Sequence, residues 1–145
     1  MSEQNKTLMR RLVEELWNKK DPAVIDQFYA DSYVGHTPDG VLQGRAGARQ
    51  HYDTYITTFP DCNVAIDDMV AEGDKVLVRW TATGTHRGEL AGIAPTGKRI
   101  SVPGNLTVRI SGGKIVEDYN VWDTLKLAQQ IGAVGRIGQV RGATR

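Results

Sequence analysis

The residues able to do chemistry gather in one short run, Lys114-Ile115-Val116-Glu117-Asp118-Tyr119-Asn120-Val121-Trp122-Asp123. Side chains of a strand alternate between its faces, so this run sets Val116, Asp118, Asn120 and Trp122 on one side. The preceding run, joined through Ser111-Gly112-Gly113, carries Ile100, Val102, Gly104, Leu106, Val108 and Ile110 on a single, almost wholly apolar face. Two such runs around a Gly-Gly turn read as a β-hairpin. With that face buried, a carboxylate and an amide enter an apolar interior beside an indole. Burying such groups without partners costs roughly 1–3 kcal/mol each, so a polar network or a ligand cavity must compensate. Burial also raises a carboxylate pKa towards the range useful for proton transfer. Asp118 is therefore a candidate general acid/base, against a salt bridge or a rim position as the alternative. Asn120 is a candidate for orienting a carbonyl or enolate, against a purely structural amide.

Three histidines add to the inventory. His36 lies in Tyr33-Val34-Gly35-His36-Thr37-Pro38-Asp39-Gly40, an irregular stretch rich in turn formers, and its imidazole is a candidate acid or base. His86 ends the strand Lys75–Arg87 on the face of Val76, Val78 and Trp80, where it is expected to line a pocket. His51 reads as a helix-surface residue and Asp123 as a helix N-cap. Trp17, Tyr33, Tyr52, Trp80, Leu106 and Trp122 are the candidate substrate-binding residues, since aromatic side chains around one cavity suit a flat apolar ligand. No metal site is expected, because His36 and Asp39 have no second His or Cys at zinc-like spacing. Gly92-Ile93-Ala94-Pro95-Thr96-Gly97-Lys98 is rejected as a phosphate loop: Arg99 stands where Ser or Thr is needed, and a strand follows instead of a helix.

The elements that must position these groups can be read in order. Residues 5–19 form an amphipathic helix with Leu8, Leu12, Val13, Leu16 and Trp17 on one side. Asp21-Pro22 starts a short second helix carrying Val24, Ile25, Phe28 and Tyr29. A third helix runs from about Gly44 to Phe59, with Ala48, Tyr52, Tyr55, Ile56 and Phe59 as its stripe. Strands follow from Asn63, and Asp123 caps a last helix, Thr124 to Ile131. Helices followed by successive strands predict an α+β domain: a curved antiparallel sheet covered by the N-terminal helices and enclosing a hydrophobic pocket.

The chain has 145 residues, enough for one domain with a core. We expect a single domain over 1–132 and a Gly/Arg-rich tail over 133–145. Its 18 Lys plus Arg against 17 Asp plus Glu give no pull towards nucleic acid or an anionic membrane. The lone Cys62 cannot form an internal disulfide, and no apolar run approaches a membrane span. A cytoplasmic location is the expectation. Leu77, Arg79, Thr81, Thr107, Arg109, Tyr119 and Val121 make up the opposite, mixed sheet face, which fits a homodimer.

Several segments together resemble a known family. They are Asn18-Lys19-Lys20-Asp21, Ala71-Glu72-Gly73-Asp74-Lys75-Val76, Arg79-Trp80-Thr81-Ala82-Thr83-Gly84-Thr85-His86, Gly92 to Arg99, Gly113-Lys114-Ile115-Val116-Glu117, Val121-Trp122-Asp123-Thr124-Leu125 and Gln129-Gln130-Ile131-Gly132. With them the chain resembles the SnoaL-like polyketide cyclase and ester cyclase family, of the cone-shaped α+β barrel superfamily named after nuclear transport factor two. The resemblance implies a dimer, and an intramolecular aldol ring closure without metal or cofactor. It also implies an acid/base aspartate on the last strand, at the position of Asn120, and a glutamine and a histidine at the positions of Gly104 and Leu106. A neutral amide cannot take a proton at neutral pH. The leading expectation is thus a cofactor-independent enzyme acting on a small, largely apolar carbonyl or polyketide-like compound, with Asp118 or His36 as acid/base. The alternatives are a non-catalytic carrier of a small hydrophobic ligand and a polyketide hydroxylase of the same fold.

Overall fold

The computed structural model describes residues 2–134. Helix α1 (Ser2–Leu12) runs on through a π-helical turn, Val13–Asn18. In that turn the Lys19 N–H donates to the Glu14 carbonyl five residues back, at 2.8 Å. A 3₁₀ turn, Pro22–Val24, opens under an Asp21 cap whose carboxylate accepts from the Ala23 N–H at 3.1 Å. The single-turn helix α2 (Ile25–Phe28), strand β1 (Tyr29–Thr37), strand β2 (Gly40–Gln43) and helix α3 (Gly44–Thr58) follow. Then come β3 (Asn63–Glu72), β4 (Lys75–Thr85), β5 (Arg99–Ser111), β6 (Lys114–Trp122) and helix α4 (Thr124–Gln130), capped by Asp123 as expected.

The six strands make one open sheet in the order β2-β1-β6-β5-β4-β3. All pairings are antiparallel except β1 with β6, which is parallel. The α+β architecture with helices over one face agrees with the expectation; the parallel pair and the open edges at β2 and β3 refine it. The Tyr33–Gly40 stretch is a correction. Instead of an irregular segment it is the end of β1 and the turn into β2, because the β6 edge accepts β1 as a parallel neighbour.

Pairing aligns three rows across the inner face: Gly35, Asp118, Val108 and Val76; then Asn120, Leu106 and Val78; then Trp122, Gly104 and Trp80. One parity is corrected. Between Arg109↔Glu117 and Ile110↔Ile115 the register slips, leaving Val116 as a bulge. Ile115, not Val116, therefore points inward with Asp118, and it is fully buried. Asp118, Asn120 and Trp122 keep the inward face on their side of the bulge.

The main core packs Met9, Leu12 and Leu16 with Val24, Ile25, Phe28, Tyr29 and Tyr33 against Val76, Val78, Val108, Ile110 and Ile115. A smaller cluster of Phe59, Cys62, Ile100, Val102, Leu127 and Ile131 closes the other end beneath α4. Asn18 ties the first helix to the sheet edge like an extra strand residue. Its Nδ2 donates to the Val64 carbonyl at 3.0 Å and its Oδ1 accepts from the Val64 N–H at 2.7 Å. Lys20 adds a bond from Nζ to the Cys62 carbonyl at 2.8 Å. Among the described residues no helix is long and apolar enough to cross a membrane. The tail expected over 133–145 lies, from 135 onward, outside the described residues.

The Asn18 clamp sets the first test. Asn18→Ala removes both bonds to Val64, and by the usual net worth of such bonds it lowers stability by about 1–2 kcal/mol. Urea unfolding checks this, and an unchanged midpoint would show that the clamp is dispensable.

Candidate active site

A cavity of about 130 Å³ lies between the inner sheet face, the first helix and α3. That is close to the roughly 150 Å³ apolar cavity that takes up benzene. Its walls are mainly Leu12, Leu16, Trp17, Leu42, Phe59, Val78, Trp80, Ile100, Leu106 and Trp122. The polar side chains facing it are few: Tyr29, Tyr33, Thr37, His51, Tyr55, Thr83, Asp118 and Asn120.

Asp118 sits on the floor, 5 % exposed. The Tyr33 hydroxyl donates between its two oxygens, at 2.9 Å to Oδ1 and 3.0 Å to Oδ2. Parallel pairing brings Gly35 beside Asp118, and the absence of a side chain there is required. A Cβ on Gly35 would lie 2.1 Å from Tyr33 Oη and 2.9 Å from Asp118 Oδ1. Burial pushes the Asp118 carboxyl up to about 7, opposed by the Tyr33 hydrogen bond and by the nearby His36. Burial foremost, and then the neighbouring Tyr29 and Asp118, drive the Tyr33 hydroxyl far above the usual phenol range, so it stays a donor.

Asn120 is oriented by Trp80, whose Nε1–H donates to Asn120 Oδ1 at 3.3 Å. An indole N–H can only donate, so the amide oxygen faces it and Nδ2 is left for another acceptor. This bond depends on Gly104. A Cβ there would stand 2.2 Å from Trp80 Cζ2, so the indole occupies the space of a side chain at position 104.

Of the residues singled out from the sequence, Trp17, Tyr33, Trp80, Leu106, Asp118, Asn120 and Trp122 come together around this cavity. Tyr52 does not line it: it is buried against Trp17, ring centroids 5.3 Å apart. Nor does His86, fully buried beside Phe59 at the far end of β4. Its Nδ1 accepts from the Thr96 N–H at 3.2 Å, so the hydrogen is on Nε2, an atom with no partner among the described residues. The expectation that His36 opens on the pocket is corrected. Alternation along β1 turns Tyr33 and Gly35 inward and His36 outward, where it stacks on Tyr119 at 4.2 Å and meets Glu117 Oε2 at 3.2 Å.

His51 takes the place sequence reasoning withheld from it. Ala48, His51, Tyr55 and Phe59 all line the cavity, and their spacing of three, four and four residues is one helical stripe. That spacing was the available signal. The His51 ring lies among Trp17, Tyr55 and Trp122, with centroids 6.0, 5.0 and 5.8 Å away. Burial lowers its pKa to about 4, against a smaller upward pull from Asp39. Tyr55 donates its hydroxyl to Asp39 Oδ2, and burial together with that bond raises the phenol well above its ordinary value. Near neutrality, then, His51 is uncharged and Asp118 is shared between its two protonation states. Among the described residues no group of three or more His, Cys, Asp or Glu side chains is placed to hold a metal ion.

The profile of the SnoaL-like polyketide cyclase family matches residues 7–131. Among solved structures, AclR of Streptomyces galilaeus, described as a candidate hydroxylase, is similar at 28% identity with a TM-score of 0.84, over 93% of this chain and 85% of that one. TsrD of Streptomyces laurentii is 30% identical with a TM-score of 0.83, over 91% and 97% of the two chains. IdmH of Streptomyces antibioticus, described as a candidate polyketide cyclase, is 28% identical with a TM-score of 0.79, over 89% and 99%. No curated protein sequence matches the chain.

The two displaced pKa values pull stability in opposite directions with pH. Asp118 holds its proton more tightly folded than unfolded. Its contribution is complete below about 3.8 and is lost as pH rises through about 7. His51 does the reverse: its contribution is complete above 6.5 and is lost as pH falls through about 4. Asp118→Asn should therefore gain on the wild type from pH 4 to 7, by about 4 kcal/mol at most. His51→Phe should gain in the other direction, from pH 6.5 down to 4. Urea unfolding across this range checks both, and profiles parallel to the wild type would contradict the burial of these groups.

Proposed function

The chain belongs to the SnoaL-like polyketide cyclase family, and on that footing we propose that it catalyses proton transfer at carbon next to a carbonyl of a small, largely apolar, polyketide-like ligand, in a cyclase- or isomerase-type reaction. The observation that carries this reading is a carboxyl group poised near pH 7 inside an apolar cavity, with an amide N–H₂ two residues further along the strand. The Asp118 carboxylate takes the α-proton, and the electron pair of the C–H bond moves through carbon to the carbonyl oxygen. The Asn120 Nδ2–H₂ donates to the resulting enolate oxygen, while Trp80 holds the amide in orientation. The proton then returns to carbon. In a ring closure, the enolate carbon instead attacks a second carbonyl, and Asp118 passes its proton to the new alkoxide.

Asp118 and Asn120 are thus the proposed catalytic pair, and no resident cofactor enters the scheme. Trp17, Tyr33, Trp80, Leu106 and Trp122 shape the ligand site. One observation favours a second reading, a carrier without turnover. An amide stands at position 120, where the family resemblance places the acid/base.

The test uses 2-tetralone in deuterated buffer. The enzyme reading expects α-deuterium incorporation that rises with pH through an inflection near 7. Asp118→Asn should slow it about 10²–10⁴-fold, and Asn120→Ala about 10²-fold. Saturable binding with no exchange above buffer would favour the carrier. Oxygen consumption with a phenolic ligand would instead favour hydroxylation.

We further propose a homodimer through the outer sheet face. Tyr119, Thr107, Leu77 and Val70 form one cross-strand row there. Tyr119 is 53 % exposed, Val121 57 % and Leu77 43 %, an apolar patch suited to a twofold contact. Light scattering at micromolar concentration should give twice the chain mass of 16.0 kDa. It should give the single mass for Leu77→Glu/Val121→Glu, and a wild-type monomer would refute the proposal.

A further inference from the structure

The reaction outlined above leaves His51 unused, although it is the second nitrogen-bearing polar side chain on the cavity wall. Among the described residues, the histidine rings that hydrogen-bond are those of His36 and His86. The His51 ring makes no such bond, yet three aromatic rings pack around it and it lines the cavity. A half-buried neutral imidazole keeps one donor and one acceptor, and at His51 neither is taken by another residue's side chain or backbone among the described residues. The ring lines the cavity, which puts that donor and acceptor within reach of a ligand there.

Its position relative to Asp118 is also defined. His51 abuts Trp122, four residues along β6 from Asp118, or about 13 Å of strand. Asn120 lies between them. The two polar poles thus stand towards opposite ends of the inner face, separated by the indoles of Trp80 and Trp122, whose centroids are 6.5 Å apart. Apolar aromatic walls between two hydrogen-bonding ends are complementary to a planar ring system with an oxygen at each end.

We propose that His51 reads a second oxygen of the bound ligand, a hydroxyl or carbonyl at the Trp122 end of the cavity, while Asp118 and Asn120 hold the first. This rests on the cavity being the ligand site. Because burial keeps the imidazole uncharged near neutrality, it discriminates by hydrogen bonding, not by charge. A hydroxyl and a carbonyl are both accepted, since a neutral ring offers a donor at one nitrogen and an acceptor at the other. His51 is in this sense a specificity residue, and the site selects a doubly oxygenated ligand over a singly oxygenated one.

The test compares naphthalene-2,6-diol with 2-naphthol by tryptophan fluorescence quenching in four proteins. The wild type should prefer the diol about five- to tenfold, the worth of one additional neutral hydrogen bond. His51→Phe keeps the ring and should bind both equally. His51→Gln, which restores a donor and an acceptor, should recover part of the preference. Asp118→Asn should retain the preference while losing deuterium exchange into 2-tetralone. Each preference is a ratio within one protein, so a general loss of folded fraction does not mimic the result. Equal binding of the two ligands by the wild type, or an intact preference in His51→Phe, would overturn the role of His51. Exchange that survives Asp118→Asn would instead overturn the acid/base reading and leave His51 standing.

Discussion

Tyr33 and Asp118 meet across 85 residues of chain, and much of the site's chemistry depends on that one contact. The phenol is the single side chain, among the described residues, that hydrogen-bonds the buried carboxylate. One donor shared between two oxygens is too little to offset the loss of water, so the carboxyl keeps its proton to higher pH. Richer solvation would return it to the ordinary carboxylate range. The contact demands a parallel β1–β6 pair, a bare Gly35 between the partners, and the bulge at Val116 that fixes the phase of Asp118. Each is a local irregularity of the fold, and together they serve one buried group.

A second dependence runs through size. Gly104 lies between Trp80 and Trp122 in one cross-strand row, and its missing side chain lets the Trp80 indole lie over the sheet and reach Asn120. The amide is thereby turned so that its N–H₂ is available to a ligand. The resemblance puts a glutamine at 104 and an aspartate at 120. Here a glycine, an indole and an amide fill the same volume, which leaves Asp118 as the carboxylate on the inner face of β6. On the proposed reading, the acid/base stands two residues along the strand from the position the resemblance implies.

Much of this is legible in the sequence because alternation holds along β5 and from Asp118 to Trp122, and the Gly-Gly hairpin turn is unambiguous. The inward face of β5, the inward Asp118, Asn120 and Trp122, and the Asp123 cap all follow from period and turn chemistry. What escaped were features set by tertiary contact. The Val116 bulge leaves no mark in a run of apolar and polar residues. Strand β1 lacks a clean alternation, since Gly35 and Thr37 run into the turn formers Pro38, Asp39 and Gly40, and the β6 edge that recruits it is some 80 residues away. His36 therefore reads as a loop residue in the sequence, although it sits on the outer face of β1. His51 was misjudged because a histidine is polar, although its spacing from Ala48, Tyr55 and Phe59 put it on the inward stripe.

The central claim is that Asp118 is a buried carboxyl titrating near neutrality under the hold of Tyr33. The direct measurement is a ¹³C NMR titration of the aspartate side-chain carboxyls, with Asp118 assigned by the signal missing from Asp118→Asn. The account predicts an inflection at about 7 in the wild type and a higher one in Tyr33→Phe, where the hydrogen bond favouring the charged form is gone. An Asp118 signal titrating near 4, unmoved by Tyr33→Phe, would contradict it.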